Sequence, residues 1–185
     1  MRRYLELPLK LFIITLVAGI CLGATYYLTK EPIAKQRALA AEKARNEAYQ
    51  GATFEPVTED AMGEVMADEK FANVDSIYKA VVDGKEGYVV TLRTKGYAGD
   101  VEIIVGVDAD LAVTGVVVGK NSETPGLGAN AKNPSFRDQF VGSKNPQLGQ
   151  DIDAMTGATI TSKAVTDGVN IALEAAKVLQ EVQGE

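Results

Sequence analysis

The chain has 185 residues, a formal net charge of −6 and a hydrophobic content of 46%. That length allows one membrane anchor and one modest domain, and the acidic balance argues against nucleic acid as a partner, because a phosphate backbone needs a basic surface. Histidine is absent and Cys21 is the single cysteine, so this chain alone cannot build a zinc site, an iron–sulfur cluster, a Ser–His–Asp triad or an internal disulfide.

Residues 11–29, LFIITLVAGICLGATYYLT, carry no charge. A helix over this run is about 28 Å long at ~1.5 Å per residue, close to the ~30 Å core of a bilayer. Lys10 and Lys30 bracket it, and Tyr26 and Tyr27 suit the interface. Arg2 and Arg3 ahead of an apolar run also fit a signal peptide, but Leu22 is a poor residue three places before a cut at Ala24. Ile20 is likewise too bulky ahead of a lipoprotein cysteine at Cys21. The run therefore reads as a retained transmembrane helix after a tail of residues 1–10. Cations number three before it (Arg2, Arg3, Lys10) and five after it (Lys30, Lys35, Arg37, Lys43, Arg45). Taken alone, that count puts the C-terminal side in the cytoplasm or leaves the question open.

Residues 30–75 read as a stalk helix and linker, polar and rich in Ala, Glu, Lys and Arg as far as Gln50, then irregular and acidic from Pro56 to Asp75. From residue 76 to 185 the pattern is that of a domain. The runs 77–82, 88–94, 100–107 and 112–119 are β-rich, with turn signals at Asp83-Gly84, 96–99 and 108–110. Residues 121–149 are rich in Gly, Pro and Asn, apart from a short amphipathic stretch at Phe136, Phe140 and Val141. Residues 162–182 form a helical pattern with Val165, Val169, Ala172, Leu173, Ala176 and Leu179 on one face. The expected fold class is α+β, an antiparallel β meander with packed helices, preceded by one N-terminal transmembrane helix.

Two segments carry candidate chemistry. Residues 153–162, DAMTGATITS, put Gly157 and Ala158 ahead of the hydroxyls of Thr159, Thr161 and Ser162 at a helix start. Free N–H groups and the positive dipole end favour a phosphate there, while the same hydroxyls also suit plain helix caps. Residues 121–128, NSETPGLG, contain a Pro125-Gly126 tight turn, either an ordinary surface turn or one whose N–H groups meet a ligand. This second segment lacks P-loop or dinucleotide-fingerprint spacing.

Asp153-x-x-Thr156-Gly157-Ala158-Thr159 resembles the flavinylation motif recognised by bacterial FMN transferases, and Glu123-Thr124-Pro125-Gly126-Leu127-Gly128 resembles the second signature of the same FMN-binding family. Gly96-Tyr97-Ala98-Gly99 and Phe136-x-x-Gln139-Phe140 fit as well, in family order from about Tyr78 to Ala172. Asn121 stands where the family often has His, and Thr156 where it often has Ser; the acceptor hydroxyl is unaffected. Within the family, this chain resembles the G subunit of the Rnf complex, an ion-translocating ferredoxin:NAD oxidoreductase. The C subunit of the sodium-translocating NADH:quinone reductase is the alternative on resemblance. A cofactor-free anchored assembly module is the alternative on residues alone.

The resemblance implies an electron-carrying subunit with FMN esterified through its phosphate to Thr159, delivered from FAD by a separate FMN transferase. Asp153, Thr156, Gly157 and Ala158 would serve recognition and access, and Thr161 or Ser162 would lie within reach of the phosphate. Glu123, Thr124, Gly126, Leu127 and Gly128 would line the flavin. No catalytic residue and no metal site are implied. The partners implied are the other membrane subunits of an Rnf-type complex. The location implied is a bacterial or archaeal cell (inner) membrane, crossed once, with a cytoplasmic N-terminus and an extracytoplasmic FMN domain, opposite to the cation count.

Overall fold

A computed structural model describes residues 2–183, with side chains from 8 to 182. Met1 of the expected tail, the side chains of Arg2 and Arg3, and residues 184–185 of the expected domain lie outside the described residues. Two compact units are present, Met1–Glu42 and Lys43–Glu185.

Helix α1, Arg2–Ala48, supplies the first unit and continues into the second. Its apolar part is long and apolar enough to cross a membrane, and Leu11, Phe12, Ile14, Ile20 and Leu22 are all exposed along it. Hydroxyls in that stretch are satisfied by the helix itself. Thr15 donates to the Leu11 carbonyl at 3.1 Å and Thr25 to that of Cys21 at 2.8 Å. Such back-bonding removes the cost of a bare hydroxyl in an apolar medium.

The second unit is an antiparallel sheet in sequence order, β1 (Thr53–Pro56), β2 (Val74–Val82), β3 (Lys85–Lys95), β4 (Asp100–Val107) and β5 (Val113–Val118), with α2 (Glu59–Met66), α3 (Pro134–Arg137) and α4 (Thr159–Gln183). The meander and the α+β class are as read from the sequence. The Asp83-Gly84 signal is the β2–β3 hairpin turn, with φ of 51° and 77°, the positive pair that suits the right-handed twist of the strands.

Both faces of the sheet are buried, which explains the unbroken apolar run of β4. Val90, Leu92, Ile103 and Val105 pack with Val165, Val169, Ala172 and Ala176 of α4. On the other face, Val89, Ile104 and Ala80 pack with Ala48 and Tyr49. The last turn of α1 is thus part of the globular unit. Arg45 lies 4.2 Å from the centre of the Tyr78 ring, and Arg137 donates to the Glu47 carboxylate.

Three local readings are corrected. The stretch 56–75 is not wholly irregular, since it ends β1 and contains α2 and a 3-10 turn at Glu69–Phe71. Val141 leaves the amphipathic set: it is exposed, while Phe136 and Phe140 are buried and meet edge to face at 5.5 Å. A one-turn helix ending at Arg137, followed by the 3-10 turn Asp138–Phe140, carries the chain off the core before residue 141. The last helix starts at Thr159, three residues before the expected Ser162, with consequences for the site.

Candidate functional site

Two turns of the same type frame the site. In the first, the Leu127 N–H donates to the Thr124 carbonyl at 3.1 Å, with Pro125 second and Gly126 third at φ +80°. In the second, the Ala158 N–H donates to the Met155 carbonyl at 3.0 Å, with Thr156 second and Gly157 third at φ +72°. A positive φ at the third position marks a type II turn and selects glycine. The turns touch, since a Cβ on Gly157 would stand 3.1 Å from the Leu127 side chain.

Because α4 begins at Thr159, its three early hydroxyls are inside the helix, where none can act as N-cap. That position falls to Ala158, which has no side-chain acceptor. The Thr161 hydroxyl instead donates to Glu123 Oε2 at 2.5 Å. Ser162 Oγ accepts the Met155 N–H at 2.9 Å and donates to the Ala158 carbonyl at 3.0 Å, bracing the second turn from below. Both side chains are buried, whereas Thr159 is exposed. Among the described residues, the N–H groups of Thr159, Ile160 and Thr161 have no acceptor. They form a row of free donors at the positive end of a long helix, a natural anion seat.

Glu123 joins the parts. Asn121 Oδ1 accepts the Glu123 N–H at 3.3 Å, an Asx-type contact that sets the start of the loop. The Glu123 carboxylate is buried and accepts from the Ala98 N–H at 2.9 Å through Oε1, while Oε2 takes the Thr161 hydroxyl. One side chain therefore ties the tip of the β3–β4 hairpin to the first turn of α4. Glu123→Ala leaves a buried hydroxyl and a backbone N–H without a partner. At about 1–3 kcal/mol for the buried hydroxyl and about 1 kcal/mol for the N–H of exposed Ala98, it is expected to lower stability by roughly 2–4 kcal/mol, read as a lower melting temperature of the globular unit. Glu123→Gln, which keeps an acceptor for Ala98, is expected to cost less than half as much.

These elements enclose an open pocket of about 430 Å³, within the range of about 300–1,000 Å³ usual for small-molecule sites. Tyr97 lines it from the hairpin tip, Glu123, Thr124, Leu127 and Gly128 from the first loop, and residues 157–161 from the second. Three of these side chains leave apolar surface open to solvent: Tyr97 at 72% exposure, Ile160 at 54% and Leu127 at 43%.

The structure thus brings together most of the residues singled out from the sequence. Four do not line the pocket. Thr156 and Gly126 sit exposed on the two turns, and Ser162 is buried as a brace. Asp153 is exposed on the approach to the second turn, with its N–H donating to Gln139 Oε1 at 2.8 Å. Tyr97 and Ile160 were not among the expected site residues. For Tyr97 the available signal was the Gly96-Tyr97-Ala98-Gly99 match; Ile160 gave none, since an isoleucine at a helix start reads as core.

A model of the FMN-binding domain matches residues 96–174, the stretch that holds every element of the pocket. The chain is 34% identical to the G subunit of the Na(+)-translocating ferredoxin:NAD(+) oxidoreductase complex of Acetobacterium woodii, over 91% of this chain and 89% of that protein. It is 38% identical to the G subunit of the proton-translocating ferredoxin:NAD(+) oxidoreductase complex of Clostridium ljungdahlii, over 89% and 87%. Among solved structures, NqrC of Shewanella oneidensis superposes with a TM-score of 0.50 at 20% identity, covering 77% of this chain and 74% of that one, a likeness of fold. Two relatives above 30% identity, aligned over nearly nine-tenths of their length, place this chain in the family of G subunits of ion-translocating ferredoxin:NAD(+) oxidoreductase complexes.

Proposed function

We propose that this chain is the membrane-anchored flavoprotein subunit of an ion-translocating ferredoxin:NAD oxidoreductase complex, with FMN esterified through its phosphate to Thr159. The observation that carries the reading is the convergence of both signature loops on one pocket, with the exposed Thr159 hydroxyl at its edge. The pocket fits FMN on its own chemistry. Three unpartnered N–H groups suit a phosphate at the start of α4, and an apolar rim suits a flat ring system.

When bound, FMN supplies the electron-carrying chemistry, and the chain supplies attachment, position and shape. Thr159 Oγ is the point of attachment. The amides of residues 159–161 stabilise phosphate charge beside it. Glu123 fixes the hairpin tip and α4 relative to each other, so the pocket keeps its form without a ligand. Leu127 closes over Gly157, where any side chain would crowd it and strain the turn. Asp153 and Thr156, exposed beside the attachment point, are the surface that a separate FMN transferase reads.

An open pocket gives a reason for a covalent bond. A ligand held only by contact must offset its lost freedom from buried surface, and this site buries one side. Residues 11–29 hold the chain in a bacterial or archaeal cell membrane, with the N-terminus cytoplasmic and the FMN-binding domain outside. There it relays electrons between neighbouring membrane subunits. The test is flavin fluorescence of the denatured full-length chain after co-expression with an FMN transferase. A fluorescent band is the expected result. A dark band, with the transferase active on another substrate, overturns covalent attachment.

A further inference from the structure

The Tyr97 ring is 72% exposed, yet its mount is rigid. The hairpin tip closes with the Gly96 N–H donating to the Gly99 carbonyl at 2.8 Å, and the Ala98 N–H is held by buried Glu123 at 2.9 Å. There is no slack beneath it: a Cβ on Gly96 would lie 2.6 Å from Glu123 Oε1 and 2.8 Å from Val101 Cγ2. The Tyr97 hydroxyl has no partner among the described residues. A lone exposed aromatic needs no explanation. Here the ring lines the same pocket as exposed Leu127 and Ile160, so the open apolar surface is gathered at one concave place.

Resting on the reading that FMN occupies this pocket, we propose that Tyr97 is the aromatic wall against which the isoalloxazine ring stacks, held in position by the Glu123 carboxylate. A flat conjugated ring gains most from another aromatic face, in offset or edge contact, and a tyrosine carried on a rigid turn loses little freedom in making it. Leu127 and Ile160 add aliphatic contact. The anionic end of the cofactor is served by the α4 amides, and no cation lines the pocket among the described residues. The site therefore sorts its ligand into a ring end at Tyr97 and a phosphate end at Thr159.

The test uses the full-length chain co-expressed with an FMN transferase and carrying Tyr97→Leu or Tyr97→Phe. A phenol in van der Waals contact quenches flavin emission by lending an electron to the excited ring and taking it back, with no net redox change. Tyr97→Leu is expected to leave the fluorescent band of the denatured chain unchanged, to raise native emission per attached flavin several-fold, and to shift the visible absorption bands. Tyr97→Phe, which keeps the stacked face but not the oxidisable phenol, is expected to raise emission and leave the absorption bands in place. Native emission and absorption of Tyr97→Leu identical to those of the parent, with the band retained, overturn the stacking. A dark denatured band in the parent refutes the Thr159 ester instead. Free FMN titrated into the parent and into Tyr97→Leu then decides: quenching in the parent that the variant loses supports the wall, and equal quenching in both overturns it.

Discussion

Thr159→Ala is expected to abolish the fluorescent flavin band of the denatured chain while leaving the globular unit as stable as the parent. The two halves of that expectation come from separate observations. Thr159 is exposed and its hydroxyl bonds to nothing among the described residues, so removing it orphans no partner. Alanine is also the better helix former, by a few tenths of a kcal/mol, roughly the size of an ordinary surface effect of about ±0.5 kcal/mol. Loss of the band therefore cannot be put down to unfolding, and a melting curve on the same sample checks this. Thr156 is the competing acceptor, exposed on the adjacent turn; Thr156→Ala is expected to keep the band at lower yield, because the transferase reads that position. Thr161→Val is expected to keep the band as well, because the Thr161 hydroxyl is spent on Glu123 and is buried. Thr159→Ser retains an oxygen at the same place and is expected to restore fluorescence. A band that survives Thr159→Ala and disappears in Thr156→Ala would move the ester one turn away and sink the assignment.

What the sequence disclosed, and what it hid, follows the range of the interactions involved. The central strands were legible because β-rich runs alternate with strong turn chemistry, Asp83-Gly84 above all. The buried face of α4 was legible because Val165, Val169, Ala172, Ala176 and Leu179 recur at helical spacing, and all are buried. Strand β1 was missed because it is a short edge strand that ends in Pro56, a residue that reads as a breaker and is tolerated only at an edge. Both site motifs were legible as strings, and their meeting was not. No local pattern says that Glu123 reaches across to Thr161, or that the Leu127 side chain covers Gly157. The start of α4 shows the cost of a boundary misplaced by three residues. With the helix begun at Ser162, the hydroxyls look like caps or phosphate ligands; with it begun at Thr159, two of them become internal braces and one is left free.

The docking of the end of α1 on the sheet was hidden for a similar reason, and it carries the second large effect. Gly106 of β4 and Gly115 of β5 are direct cross-strand partners, and the Ala48 carbonyl rests on both. A Cβ on Gly115 would stand 2.7 Å from that oxygen and 3.3 Å from the carbonyl carbon, and one on Gly106 would meet the same two atoms. The obstacle common to both is backbone, which no rotamer change relieves; at Gly106 a Cβ would also meet the Thr114 hydroxyl, a side chain that can turn away. The Thr114 hydroxyl donates to the same oxygen at 2.7 Å, which holds it in place. Gly106→Ala and Gly115→Ala are each expected to cost about 1–3 kcal/mol, as overpacking does, or a fall of roughly 3–10 °C in melting temperature for a unit of this size. The strain that the two share, against the Ala48 carbonyl, is released by one movement, the lifting of Ala48 and Tyr49 off the sheet. The double variant is therefore expected to lose little more than the worse single one, a departure from additivity that independent sites do not show. Tyr49 reports the movement directly. Burial first, and the Asp108 carboxylate second, push its phenol above the ordinary value of 10.0. That raised value stabilises the fold below the unfolded pKa, and the benefit is lost as pH climbs through the folded one. In the glycine variants one tyrosine should titrate earlier in an alkaline absorbance scan, and the alkaline limb of stability should flatten. Additive losses with an unchanged tyrosine titration would mean that each alanine is accommodated where it stands, and that the end of α1 is not clamped on the sheet.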